Sequence, residues 1–269
     1  MKIEFIITII ILLSIIFCFS FNIRKKERFT NYDTVIKYPI YWINLKKSVD
    51  RYNNIKKQFK KYKLINKRIN AVNGKSDNLN KLVKNKLSFF RSNKIEISCL
   101  LSHLFAIRKS IKNNDNISII CEDDLCFDLI PHWKIKLDKL IDELPYDWDI
   151  VNLAPTNHLF LQNNINSDKN FVTWKNYHWG AMCYLINRKG MLKLNKNHNL
   201  MDKKFIINTD KSAVADDVLY SKLNSYTVTK PLFTYLNNGS TIHSYHEQLH
   251  KLGKDIILKF YNVKVCKSL

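Results

Sequence analysis

The stretch Ile117-Ser118-Ile119-Ile120-Cys121-Glu122-Asp123-Asp124 decides how the rest of the chain is read. Its first five residues are apolar or small and mostly β-branched, the composition of a buried strand. Consecutive carboxylates then end the apolar run. They cannot enter a core, so they belong at the strand's carboxyl end, where an open α/β sheet places its ligand crevice. Adjacent carboxylates repel one another unless a cation neutralises them, and oxygen ligands suit a hard ion, Mg2+ or Mn2+. Such an ion could bridge the phosphates of a nucleotide. The plainer alternative is a solvated acidic turn after a strand, and the surrounding sequence has to choose.

On the amino-terminal side, Leu100, Leu101, Leu104, Ile107 and Ile111 fall at helical spacing and predict a helix over Ile95 to Lys112. His103 on this helix packs beneath the acidic cluster or hydrogen-bonds to it. Ser98 and Ser102 lie close to His103, but no G-x-S-x-G elbow supports a hydrolase. Further back, Tyr38 to Leu45 reads as the first strand, with Pro39 suited to its start. Ser48 is placed to cap a helix reaching about Tyr62. Arg51, in the first turns of that helix, is either a phosphate contact or a surface cation. Lys67 to Val72 is a second strand closed by the Asn73-Gly74 turn, and Leu79 to Phe90 is weakly helical.

Beyond the cluster, Pro131 opens an amphipathic helix from His132 to Leu144, and Trp148 to Leu153 is a strand. Asn157 to Lys169 reads as a loop, Trp174 to Trp179 is rich in aromatics, and Gly180 to Ile186 is again a strand. A helix begins at Arg188. Asp216 and Asp217 open another helix, carrying Val218, Leu219, Tyr220 and Leu223. Acids there are favoured by the helix dipole, and one of them could instead serve as a general base. Thr227 to Thr229 and Leu232 to Tyr235 are two last strands, and His243 and His246 follow in a polar tail. Strands separated by helices make this an α/β domain with a mostly parallel sheet.

The 269 residues carry 44 Lys and Arg against 23 Asp and Glu, a net charge of +21. The lysines are scattered over helices and loops, and no zinc-finger spacing, arginine-rich arm or aromatic RNA-binding signature accompanies them. A nucleic-acid-binding function is therefore disfavoured, while anionic ligands are favoured. None of the six cysteines forms a C-x-x-C pair, and buried free thiols are the default expectation, with a disulfide between some of them left open because spacing does not decide it. Ile3 to Phe21 is apolar enough to span a bilayer, which takes about 20 residues. With no small-residue cleavage site after it, it reads as an uncleaved transmembrane anchor. The expected organisation is an anchor over 1–21, a stem over 22–37, a globular domain over 38–262 and a tail over 263–269. Arg24, Lys25, Lys26 and Arg28 follow the span, and this bias alone would keep the large part cytoplasmic.

The ordered motifs resemble those of glycosyltransferase family 25, which includes bacterial lipooligosaccharide glycosyltransferases and animal procollagen galactosyltransferases. Ile43-Asn44-Leu45 followed by Asp50-Arg51 is similar to the family's opening block, and Asn70-Ala71-Val72-Asn73-Gly74 to its next strand and turn. Ile97 to His103 resembles its GCLLSH helix, with Ser98 where glycine is usual. Cys121-Glu122-Asp123-Asp124-Leu125 resembles its EDD segment. Trp148-Asp149, the strand from Gly180 with Arg188-Lys189-Gly190, and Ala215-Asp216-Asp217-Val218-Leu219 resemble later blocks.

The resemblance implies a GT-A-type, Rossmann-like single domain with a mixed, mostly parallel sheet. It further implies metal-dependent, inverting transfer of a hexose, galactose first, from a UDP-sugar to a hydroxyl of a hydroxylysine-like protein site or of a glycan. Mn2+ or Mg2+ would be held by Asp124, Asp123 and His243. The donor would meet Asn44, Arg51, Glu122 and Asp123, and the acceptor Trp179 and Gly180, with Trp174 and Tyr177 available to stack on sugars. Asp217 or Asp216 would be the base. A single-pass protein of an ER- or Golgi-like membrane is implied, and lumenal glycosylation would require the orientation opposite to the charge bias. The alternatives are a catalytically silent glycan-binding protein on the same fold and, more remotely, a basic nucleic-acid-binding protein.

Overall fold

The computed structural model describes residues 36–236 and 247–263, all within one compact unit, Asp33–Leu269. The expected anchor, nearly all of the stem, and both His243 and His246 lie outside the described residues. Among the described residues no helix is long and apolar enough to cross a membrane.

The strands are β1 (Ile40–Asn44), β2 (Asn66–Asn70), β3 (Ile117–Glu122), β4 (Leu125–Cys126), β5 (Ile150–Asn152), β6 (Phe171–Thr173), β7 (Cys183–Asn187), β8 (Ser225–Val228) and β9 (Thr234–Tyr235). The α-helices are α1 (Val49–Lys61), α2 (Lys94–Lys112), α3 (Leu137–Glu143), α4 (His158–Asn164), α5 (Arg188–His198), α6 (Ala215–Tyr220) and α7 (Glu247–Tyr261). Seven strands form one sheet in the order β2-β1-β3-β7-β5-β8-β6, and β4 pairs with β9 in a separate ribbon. β1 is parallel to β2 and β3, and β5 to β8. β7 runs antiparallel to both β3 and β5, and β6 antiparallel to β8. The sheet is mixed, as expected, with β1, β2, β3, β5 and β8 all running one way. Their carboxyl ends share one edge, and the amino end of the reversed β7 joins them there.

Alternation along the strands gives the sheet two apolar faces. Tyr41, Ile43, Ile120, Ile150, Tyr184 and Ile186 form one core with Leu100, Leu104 and Ile107 of α2, Met191 of α5 and Val218 of α6. On the other face Trp42, Phe59, Phe127, Phe233 and Trp133 make a continuous line of ring contacts with centroids 5.2–5.7 Å apart. α2 is secured by a capping box. The Asn93 side chain accepts from the Ile95 and Glu96 amides, and Glu96 accepts from the Asn93 amide.

Four expectations are corrected. The helix expected over His132 to Leu144 is only a 3-10 turn, Ile130–His132, followed by α3. Trp133 leaves the helical region, with φ −52° and ψ 132°. Its indole N–H can then donate to the Leu232 carbonyl at 2.6 Å while the ring packs on Phe233. The polar loop expected over Asn157 to Lys169 contains α4, started by Asn157 as a side-chain cap and anchored by buried Phe160 and Leu161. β7 begins at Cys183, so Gly180 lies in the turn before the strand. Cys99, Cys121 and Cys183 are free thiols as expected, but Cys126 is disulfide-bonded.

Candidate active site

β1 ends in Asn44 and β3 ends in Glu122, side by side at the common edge. The chain turns through Asp123 and Asp124 before entering β4. Asn44, buried, donates to Asp123 Oδ2 at 2.6 Å and to the Ser48 carbonyl at 3.2 Å, tying the acidic turn to the start of α1. One turn into α1, Arg51 reaches back so that a single guanidinium nitrogen lies 3.2 Å from both Asp123 Oδ1 and Asp124 Oδ2. Arg68 of β2 donates to Asn44 Oδ1 at 2.6 Å while its guanidinium lies over the Tyr52 ring. This residue was missed by sequence reasoning. Its β2 segment, Asn66-Lys67-Arg68-Ile69-Asn70, is polar but for Ile69, and nothing in it marks Arg68 apart from neighbouring lysines.

The carboxylates are incompletely compensated. Burial, then the Glu122 charge, raise Asp124 to about 7. Asp124 Oδ1 is buried without a hydrogen-bond partner. Asp123 is also raised, mainly by burial and against the pull of Asn44 and Arg51. Glu122, only partly buried, is instead lowered against its desolvation, because His103 and Arg51 face it. His103 Nε2 lies 3.4 Å from Glu122 Oε1, and its Nδ1 lies 3.2 Å from the Tyr184 hydroxyl. His103 thus occupies the place beneath the cluster that the sequence suggested.

A second carboxylate meets the same edge from α6. Asp216 accepts from the Gly180 amide at Oδ2, 3.2 Å away, and its Oδ1 is buried and unpartnered. Burial raises Asp216 to about 6 against the Gly180 and Ala181 amides, and Glu122 adds to the rise. Asp217, one residue on, turns away and accepts from the Ser212 hydroxyl at 2.7 Å. The two adjacent acids are therefore separated by the fold, with Asp216 toward the edge and Asp217 closing a local turn.

Trp179 and Gly180 form the wall between β5 and α6. Trp179 has φ 45° and Gly180 φ 110°. A Cβ on Gly180 would come within 2.6 Å of the Ala154 carbonyl oxygen. Asn152 donates to the Trp179 carbonyl at 2.8 Å, and the Tyr220 hydroxyl donates to the Gly180 carbonyl. A non-glycine residue held at positive φ with extended ψ costs on the order of 1–3 kcal/mol, and such residues concentrate at binding sites. Trp174 stacks on Tyr220 with centroids 5.2 Å apart, so its ring serves the interior, whereas Tyr177 is exposed. Other matched blocks are structural. Asp149 is buried, pairs with Lys193 and Lys189, and accepts from the Asn224 amide. Gly190 lies where a side chain would strike the Asp149 carbonyl.

The sequence profile of glycosyltransferase family 25 (LPS biosynthesis protein) matches residues 37–213. Procollagen galactosyltransferases 1-B and 1-A of Xenopus laevis are each 25% identical over 170 residues, or 58% of this chain. That region spans only 27% of each relative. Among solved structures, a glycosyltransferase involved in the glycosylation of the major capsid of PBCV-1 covers 80% of this chain and 98% of its own, at 8% identity and a TM-score of 0.40. A likeness that slight says nothing of this chain's chemistry. The profile match takes in Asn44, Arg51, the acidic turn and the Trp179–Gly180 wall and stops just short of Asp216, and over that span the chain belongs to glycosyltransferase family 25.

Proposed function

We propose that this chain transfers a hexose, galactose first, from a UDP-sugar to a hydroxyl of a protein or glycan acceptor, with inversion, on a GT-A-type arrangement of the sheet. The observation that carries the reading is the convergence of two unequal carboxylate sets on one sheet edge. The set at β3 is bridged by Arg51, and Asp216 stands apart on α6 with an unpartnered oxygen. Family membership and the galactosyltransferase relatives support the reaction class.

The residues at β3 fit a hard divalent ion. All the donors are oxygens, one guanidinium serves the two aspartates, and Asp124 Oδ1 is buried without a partner. Asp124 and Asp123 would hold Mn2+ or Mg2+, and the bound ion supplies positive charge against which a leaving diphosphate is stabilised. Arg51 adds a fixed cation at the same rim, and Asn44, clamped by Arg68 and Asp123, sets the position of the turn. At the other side Gly180 fixes Asp216 Oδ2 and leaves Oδ1 to accept a proton from the acceptor hydroxyl. As that proton moves to Asp216, the hydroxyl oxygen bonds to the anomeric carbon from the face opposite the leaving group. The bond from that carbon to the diphosphate oxygen breaks, and UDP departs with the electron pair.

The test is a donor screen, with UDP-galactose and UDP-glucose offered with and without Mn2+ to collagen-like hydroxylysine peptides and to glycan acceptors. Turnover dependent on added metal, and abolished in Asp124→Ala, is expected. Turnover that persists in Asp124→Ala excludes the metal role. Donor binding by calorimetry without turnover on any acceptor would favour the silent glycan-binding reading. The disulfide at Cys126 suits an oxidising compartment, and with the apolar segment Ile3 to Phe21 it supports a membrane-anchored enzyme facing such a compartment.

A further inference from the structure

On the inner side of β3, Cys99 and His103 stand one helical turn apart on α2 and face Glu122. Cys99 Sγ lies 3.9 Å from Glu122 Oε1 and His103 Nε2 lies 3.4 Å from it, and the three ligand atoms all fall within 4.8 Å of one another. A thiolate, an imidazole and a carboxylate on one tetrahedral zinc ion, with bonds of about 2.0–2.3 Å, would be separated by about 3.3–3.6 Å. The pairs through Glu122 are already within a few tenths of an ångström of that spacing. His103 Nδ1 is positioned to donate to the Tyr184 hydroxyl at 3.2 Å, which fixes the ring with Nε2 toward the other two ligands.

We infer that Cys99, His103 and Glu122 form a binding site for a borderline-soft divalent metal, zinc foremost, separate from the oxygen-only pair Asp123 and Asp124. Sulfur and imidazole select against Mg2+ and toward zinc, whereas the aspartate pair has the opposite preference. The His103 side chain is fully buried and that of Glu122 is 30% exposed, so an ion would enter from the Glu122 side, and water would complete a four-coordinate shell. The Cys99 thiol is pushed up by burial, then by Glu122, and metal entry releases its proton. The inference stands independently of the transferase reading, because it concerns binding alone.

The experiment titrates the full chain with Zn2+ against a chromophoric chelator and with Co2+ by absorption. One equivalent with a thiolate-to-cobalt charge-transfer band and the visible bands of four-coordination is expected, and any ion on the aspartate pair adds no such band. Cys99→Ala loses the charge-transfer band and weakens zinc by more than about a hundredfold, and Tyr184→Phe weakens it by about tenfold. Asp124→Asn keeps the band, because it belongs to the other pair. A wild-type chain without a thiolate band overturns the inference, and so does a band that survives Cys99→Ala and therefore arises from another cysteine. Circular dichroism checks folding. Should Cys99→Ala not fold, Cys99→Ser is read in its place, and the wild-type spectrum alone can still sink the idea.

Discussion

Asp216 is held with a raised pKa at some expense of stability. A carboxyl raised by burial to about 6 in the folded chain, against about 3.9 unfolded, favours folding only while protonated. Its contribution is complete below about pH 4 and is lost as pH rises through about 6. Asp216→Asn is therefore expected to raise the melting temperature at pH 8, by an equivalent of at most about 3 kcal/mol, and to lose that advantage near pH 4. The same variant should lower kcat by about 10²- to 10⁴-fold if Asp216 is the base. In the unaltered chain kcat/KM should fall about tenfold per pH unit below 6. Unchanged kcat in Asp216→Asn would remove it from the reaction. Adjacent acids such as Asp216 and Asp217 differ by about 100° around a helix. Composition could not say which of them faces Gly180; that depends on how α6 lies against β7, a matter of tertiary packing.

Among the elements, what was legible is what periodicity encodes. The apolar run of β3 and the spaced leucines of α2 appeared within about a residue of where they were expected. The direction of β7 was not legible, because alternation reads the same both ways and only pairing with β3 and β5 reveals the reversal. α4 was hidden because a short helix with two buried residues has no room for a repeat, and its start signal, Asn157, is also a common loop residue. The capping box of α2 is present in the sequence as Asn93 and Glu96, a weaker signal than the apolar spacing that follows it. Asn93→Ala should destabilise the protein by about 1–2 kcal/mol, read as a lowered urea midpoint with unchanged slope. Since α2 carries Cys99 and His103 beneath the acidic turn, a destabilisation of that size without any change in m would show that the helix frays only as the whole domain unfolds.

For the whole molecule, α7 was unexpected, and it is no loose appendage. Ile257 and Tyr261 are buried, and the Tyr261 hydroxyl donates to the Pro231 carbonyl at 2.9 Å. Gly253 sits where an added Cβ would overlap the Thr156 carbonyl oxygen ahead of α4. Gly253→Val should therefore unseat α7 and cost on the order of 1–3 kcal/mol by thermal unfolding. A melting temperature equal to that of the parent chain would mean the helix docks without that close approach. The net charge of +21 is spread widely. Binding to generic polyanions is accordingly expected to vanish with added salt and to show no sequence preference. The ribbon of β4 and β9 also ties distant parts of the chain together. The Leu236 amide donates to the carbonyl of Asp124 at 2.9 Å, and Leu125 lies opposite Tyr235. The family profile ends at residue 213, so the peptide that buttresses its acidic motif comes from sequence beyond the recognised region. Trimming the polypeptide to its matched span would keep the motif and its clamps, Asn44 and Arg51, and strip the turn of this brace.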